Sequence, residues 1–179
     1  MKLESEKKFL LHSLPNEKLS LGKKIKQYYL DVVGKGRIIR LRRQDDQGFL
    51  TVKGARQKND LGRGIISRLE FENHIDDVLF NELVEGCTCF VEKVRYVVCF
   101  GGWFFEVDVF RGELEGLYMV EIELGDDSGD PRPNRFPNEL PEWMKECGVI
   151  DVSTDERFSN VHLATLNQSQ LQELLAEYL

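Results

Sequence analysis

Glu4-Ser5-Glu6-Lys7-Lys8 places ionisable residues two apart, at Glu4, Glu6 and Lys8. Side chains of a β-strand alternate between the faces of its sheet, so a strand here puts three charges on one face. The spacing returns along the chain at Arg40 and Arg42, at Arg68, Glu70 and Glu72, at Lys93 and Arg95, at Glu106 and Asp108, and at Glu121 and Glu123; Lys53 stands beside Thr51 in the same way. The residues between are mostly apolar: Leu41, Val52, Leu69, Phe71, Val94, Val107 and Ile122. A sheet with one face on a core and the other in water alternates like this. A solvated face, however, mixes Ser, Thr, Asn and Gln with its charges, and these positions are almost purely Glu, Asp, Lys and Arg.

The same alternation predicts strands near Glu4–Leu10, Lys24–Val32, Arg37–Arg43, Gly48–Gly54, Ile65–Phe71, Cys89–Phe100, Trp103–Phe110 and Leu117–Leu124. Turn-like stretches separate them, such as Asp45-Asp46-Gln47-Gly48, Gly62-Arg63-Gly64, Phe100-Gly101-Gly102 and Arg111-Gly112-Glu113. Helical spacing is expected over Pro15–Leu19, over Asp76–Glu85 with Val78, Leu79, Leu83 and Val84, and over Ser169–Leu179 with Leu171, Leu174, Leu175 and Leu179. These helices would cap or buttress the sheet. The stretch from Gly125 to Pro141, which holds all but one of the five prolines, reads as a loop. The expected fold is α+β, mainly β, in one domain over residues 1–179.

At 179 residues the chain is long enough to bury a core without disulfides. No apolar run approaches the roughly 18 residues of a membrane span, and the N-terminus lacks the basic-then-apolar layout of a secretory signal, so a cytoplasmic location with no membrane partner is expected. The net charge of −7 argues against nucleic acid as a partner. Cys87, Cys89, Cys99 and Cys147 form no Cys-x-x-Cys pair and read as reduced small hydrophobes. His12, His74 and His162 have no metal-site spacing.

The charges themselves are more informative. Eight carboxylates (Glu4, Glu6, Glu70, Glu72, Glu106, Asp108, Glu121, Glu123) face seven cations (Lys8, Arg40, Arg42, Lys53, Arg68, Lys93, Arg95), a balance of −1 if all point inward. Two divalent cations and a triphosphate of roughly four negative charges would leave such an interior close to neutral, as buried charge requires. The signs also separate by strand. Acids dominate the first, seventh and eighth strands and bases the third, fourth and sixth, so one wall can hold hard cations and the other phosphate oxygens.

In this order the residues resemble the CYTH proteins, or triphosphate tunnel metalloenzymes. The hallmark Glu-x-Glu-x-Lys is Glu4-Ser5-Glu6-Lys7-Lys8, followed by Gln27-Tyr28-Tyr29-Leu30, Arg40-Leu41-Arg42, Thr51-Val52-Lys53, Glu70-Phe71-Glu72, Lys93-Val94-Arg95-Tyr96, Glu106-Val107-Asp108-Val109-Phe110 and Glu121-Ile122-Glu123. Asp151-Val152-Ser153-Thr154-Asp155, Arg157-Phe158-Ser159-Asn160 and Leu163-Ala164 look like the tail of the short bacterial members, with Asp151 where Glu is usual. The resemblance implies a closed eight-stranded antiparallel β-barrel with peripheral helices and a C-terminal helix. The charges line its tunnel, and its outward apolar positions lie beneath helices or a partner subunit, so that a homodimer is one expected assembly.

By the same resemblance Glu4, Glu6, Asp108, Glu121 and Glu123 would hold Mg²⁺ or Mn²⁺, two ions being expected, with Glu70, Glu72 and Glu106 as further carboxylates. Lys8, Arg40, Arg42, Lys53, Arg68, Lys93 and Arg95 would grip a small-molecule triphosphate. Lys8 would stabilise charge during transfer, and Lys93 and Tyr29 stand where the family's short enzymes are thought to assist proton transfer. The expected function is hydrolysis of tripolyphosphate to pyrophosphate and phosphate. The alternatives are a class IV type adenylate cyclase, a thiamine triphosphatase, or a non-catalytic polyphosphate-binding module.

Overall fold

The computed structural model describes residues 2–15, 19, 21–30, 37–55, 65–125 and 130–178. Its strands are β1 (Lys2–Leu11), β2 (Lys23–Leu30), β3 (Ile38–Gln44), β4 (Gln47–Lys53), β5 (Ile66–Ile75), β6 (Phe90–Phe100), β7 (Trp103–Arg111), β8 (Tyr118–Glu123) and β9 (Ile150–Asp151). The first eight pair antiparallel in the order β5-β4-β3-β2-β6-β7-β8-β1, and β1 pairs again with β5, closing a barrel. Closure leaves neither β5 nor β1 a free sheet edge over this contact.

The eight expected strands all form, with shifted ends. β5 continues to Ile75, and β9 is an addition that pairs with β1 at Phe9↔Asp151 and Leu10↔Ile150, beyond the end of β5. Its two residues are too few to show an alternation, which is why the sequence gives no sign of it. The expected end of the second strand at Asp31 and Val32, the Gly62-Arg63-Gly64 turn, and most of the Pro15–Leu19 helix lie outside the described residues. Between β6 and β7 a two-residue hairpin turns at Gly101 and Gly102, both with positive φ (59° and 88°), the backbone that a right-twisted hairpin favours.

Alternation sets what each face meets. Outward residues of β1, β7 and β8 (Phe9, Leu11, Phe105, Val107, Val120, Ile122) pack beneath Phe136, Leu140 and α2 (Glu142–Glu146) with its buried Met144. The Gly125–Pro141 stretch is therefore in part a cover for this wall. On the opposite side α1 (Asp77–Val84), capped by the Asp76 carboxylate accepting from Leu79 N, lays Phe80 on β3 and β4. Next to it the cross-strand neighbours Val52 and Phe71, with Leu69, stay exposed.

One end of the barrel interior is apolar. Leu10, Tyr29, Val91, Phe110 and Met119, brought to the same end of the barrel by the antiparallel pairing, pack with Val152, Phe158, Leu163 of α3 (Asn160–Leu163) and Leu171, Leu174 and Leu175 of α4 (Gln168–Leu175). A reciprocal cap between Asn167 and Gln170 starts α4. Among the described residues no helix is long and apolar enough to cross a membrane.

Candidate active site

The charged inward residues fill the rest of the barrel and surround a cavity of about 590 Å³. Strand order makes the two walls contiguous. The acidic strands are neighbours as β7-β8-β1, and the basic strands run as β4-β3-β2-β6, with Gln27 and Tyr29 of β2 between. β5 joins the walls and carries both signs.

On the β5 side Lys53 donates to both oxygens of Glu4 (2.7 and 2.8 Å), and Arg68 Nε donates to the same carboxylate at 3.2 Å. Burial alone would raise the Glu4 pKa, but Lys53 and Arg68 outweigh it and hold the group far below the usual carboxylate range. Glu70, 3.2 Å from Lys53, is pushed up by burial, with the Glu4 charge acting in the same direction. Glu72 accepts from Arg40 (3.1 Å), Arg42 (2.7 Å) and the Thr51 hydroxyl (2.6 Å), which overcome its burial and lower its pKa. Burial, reinforced by Arg40, lowers Lys53.

On the other side Lys8 donates to Glu121 and lies 3.4 Å from Glu6. Burial opposes its charge, yet Glu121 and Glu6 hold its pKa above that of a free lysine. Arg95 binds both oxygens of Asp108 at 2.6 Å, Glu121 at 2.6 Å, and Glu106. Glu121 is held well below its ordinary value against its own burial by Lys8, Arg95 and Lys93, while burial raises Glu106.

Nearly all the expected site residues line the cavity: Glu4, Glu6 and Lys8 of β1, Tyr29, the arginines of β3, Lys53, the three charges of β5, Arg95, Glu106, and Glu121 and Glu123 of β8. Lys93 and Asp108 do not. They pair with each other on the inward face between the cavity and the apolar end, at 2% and 1% exposure, and burial with the Arg95 charge lowers the Lys93 pKa. Tyr29 donates to Gln27 Oε1 (3.1 Å), and burial keeps its phenol protonated well above its ordinary range.

Several lining residues were not anticipated. Gln27 shares the face of Tyr29, so alternation on β2 could have found it. Ile38 and Ser159, Asn160 and Val161 reach the cavity from the plugged end, the last three from a segment without periodicity. Arg132, in the covering stretch, binds Glu123 at 2.6 Å and Asp130 as well; nothing in its sequence surroundings marks it.

Among the described residues four buried side-chain atoms have no hydrogen-bond partner, and three of them belong to the tunnel: the donors Arg40 Nε and Arg42 Nε on the basic wall, and the acceptor Glu6 Oε1 on the acidic wall; the fourth, Trp143 Nε1, lies outside it. An unmet buried donor or acceptor costs about 1–3 kcal/mol, so such atoms are spare capacity for a ligand. The oxygens of the acidic wall are the donor type that a hard divalent cation takes, and Glu6 Oε1 is held only by long ion pairs, 3.4 Å to Lys8 and 3.6 Å to Arg68, with no hydrogen bond. Among the described residues no three acidic, His or Cys side chains gather into a ready cation site, because the carboxylates turn to lysines and arginines.

A closed barrel lined by a contiguous acidic wall and a contiguous basic wall, with guanidinium donors left unmet on the basic one, defines a charged-tunnel protein. The inorganic triphosphatase of Acetivibrio thermocellus is 35% identical over 163 residues, 89% of this chain and 92% of that protein. That of Nitrosomonas europaea is 34% identical over 165 residues, 90% and 96% of the two chains. A crystal structure of an inorganic triphosphatase superposes with a TM-score of 0.58 at 30% identity, over 93% of this chain and 97% of the other. No family model matches the sequence. The chain belongs to the CYTH, or triphosphate tunnel, family, among the short bacterial inorganic triphosphatases. Membership suggests a divalent cation as cofactor.

Proposed function

We propose that this barrel hydrolyses a small-molecule triphosphate, with tripolyphosphate cleaved to pyrophosphate and phosphate as its principal reaction. The single observation that carries the reading is the opposition of Arg40 Nε and Arg42 Nε to Glu6 Oε1, donors for phosphate on one wall and a ligand oxygen for a cation on the other. Names of relatives at 34–35% identity support the same chemistry.

Phosphoanhydride hydrolysis depends mostly on positioning and charge neutralisation. Arg40, Arg42, Lys53, Arg68 and Arg95 would bind the phosphate oxygens, each leaving a carboxylate to which it is now paired. Glu4, Glu6, Glu121 and Glu123, with Glu70, Glu72 and Glu106 nearby, would hold one or two Mg²⁺ or Mn²⁺ ions. When bound, such an ion supplies charge neutralisation on phosphate oxygens and a lowered pKa for a bound water. Lys8, held in its charged form by Glu121 and Glu6, would stabilise negative charge gathering on the transferred group. Tyr29, kept protonated, can donate a hydrogen bond but is a poor base. Lys93 has the lowered pKa that proton transfer favours, yet Asp108 must release it before it can meet substrate; with Asp108 in place it holds the acidic wall in position. The protein would act in the cytoplasm as a single tunnel domain.

The test is phosphate release from tripolyphosphate, ATP and thiamine triphosphate in parallel, in Mg²⁺, Mn²⁺ or EDTA, with cyclic AMP assayed from ATP. Tripolyphosphate should be turned over fastest and only with metal. Release persisting in EDTA would sink the metal assignment, and cyclic AMP as the main product would replace hydrolysis by cyclisation.

A further inference from the structure

The tail motif Asp151-Val152-Ser153 has a use that the tunnel residues leave unexplained. β1 lies between β8 on one edge and, on the other, β5 as far as Glu6↔Ile66 and then β9 from Phe9↔Asp151. Lys8 sits in the gap between these two partners. Its carbonyl accepts from Val152 N at 3.0 Å, as in an ordinary ladder. Its N–H does not reach a backbone carbonyl. It donates instead to the hydroxyl oxygen of Ser153 at 2.9 Å, a side chain only 2% exposed.

That hydroxyl is itself aimed. The Asp151 carboxylate accepts from both Ser153 Oγ (2.6 Å) and Ser153 N (2.9 Å), and Lys7 Nζ donates to Asp151 at 3.2 Å. Ser153 Oγ also lies 3.2 Å from Lys8 O, but a hydroxyl has one proton, and the shorter contact to a charged acceptor claims it. With the proton on the Asp151 side, an oxygen lone pair is free for the Lys8 N–H. A side-chain rung thus replaces the missing strand rung beside the one lysine of the Glu-x-Glu-x-Lys motif that reaches the cavity.

We infer that Ser153, oriented by Asp151, is a positioning residue for Lys8 in triphosphate hydrolysis. The inference rests on the reading of Lys8 given under Proposed function. Without the rung a buried N–H loses its acceptor, and β1 can relieve that only by shifting, which moves Lys8 Nζ relative to Glu121 and Glu6. A displacement of about 1 Å at a positioned group can already cost about a hundredfold in rate.

A double-mutant cycle tests this with tripolyphosphate and Mg²⁺, kcat, KM and thermal midpoint being read for each protein. Ser153→Ala should lower kcat/KM about tenfold or more, Ser153→Thr should restore most of it, and Asp151→Asn, which keeps the hydroxyl, should lose less than Ser153→Ala. In a Lys8→Ala background, Ser153→Ala should cost nothing further in kcat/KM while still lowering the thermal midpoint. An equal fold-loss in both backgrounds makes Ser153 merely structural and overturns the inference, as does Ser153→Ala turnover within twofold of wild type. Lys8→Ala at wild-type turnover is a different result, since it strikes the assignment of Lys8 itself. Should Ser153→Ala fail to fold, Asp151→Asn in the two backgrounds decides by the same criterion.

Discussion

The inward residues of one barrel do two opposite things. On β1 they run Glu4, Glu6, Lys8 and then Leu10; on β8, Glu123, Glu121 and then Met119; on β7, Asp108 and then Phe110; on β6, Arg95, Lys93 and then Val91. The charged part surrounds the cavity, and the apolar part packs beneath α3 and α4. The plug contributes the burial that stabilises the fold, about 25 cal/mol per Å² of apolar surface removed from water. Ion pairs taken out of water roughly break even against apolar residues of the same shape, so the charged half is kept for chemistry rather than for stability.

The strongest way to break that division is to make the charged half apolar where it is deepest. Lys93→Met together with Asp108→Leu removes one charge of each sign and leaves Arg95 with Glu106 and Glu121. Turnover of tripolyphosphate should fall on the order of a hundred- to a thousandfold, while the thermal midpoint stays level or rises. A fall in both would mean that the pair also carries the fold.

The converse change, Leu10→Ala, opens a void in the plug at a residue with no exposure. It should cost about 2–5 kcal/mol in urea unfolding, with turnover per folded molecule within about threefold of wild type. Thr51 lies between the halves in effect: its buried hydroxyl donates to Glu72 and accepts from Arg40 at 3.1 Å. Thr51→Val should cost about 1 kcal/mol and raise KM for tripolyphosphate a few-fold, since Glu72 and the arginine are then less firmly placed.

The charged half was legible in the sequence because charge two apart has only two explanations, a wetted face or an occupied interior, and the near-absence of neutral polar residues weighed against the first. The plug was not. Leu10, Val91, Phe110 and Met119 are apolar like the outward residues beside them, and which apolar residue faces inward depends on where along the strand the charges stop. Contiguity of the acidic wall followed from strand order, which no local pattern encodes; the expected separation by strand became two walls only because β7, β8 and β1 are neighbours. The role of Ser153 was beyond reach for another reason, since its contact with Lys8 spans 145 residues, and Arg132 meets nearby Glu123 from a segment with no period.

The smallest effect concerns how the plug is held down. Arg157 makes a forked contact with Asp155, whose carboxylate also accepts from the Tyr178 hydroxyl, and Arg157 reaches Glu177 at 2.7 Å, so the segment leading into α3 is tied to the chain after α4. The Arg157 guanidinium, followed by the Tyr178 hydroxyl, pulls the Asp155 pKa down to about 2 against slight burial. A carboxylate depressed on folding adds stability that is whole above its unfolded pKa, near 4, and is lost as pH falls through the folded value. Acid should therefore loosen this tie between about pH 4 and 2, and Asp155→Asn should flatten the fall of thermal midpoint over that window by less than about 3 °C, because the cluster is largely exposed. Turnover at neutral pH should be unaltered if the plug only seals the barrel. A change in KM without a change in thermal midpoint would instead show that the tie sets the position of Ser159 and Asn160 at the cavity, and the boundary between the two halves would then lie one layer further into the plug.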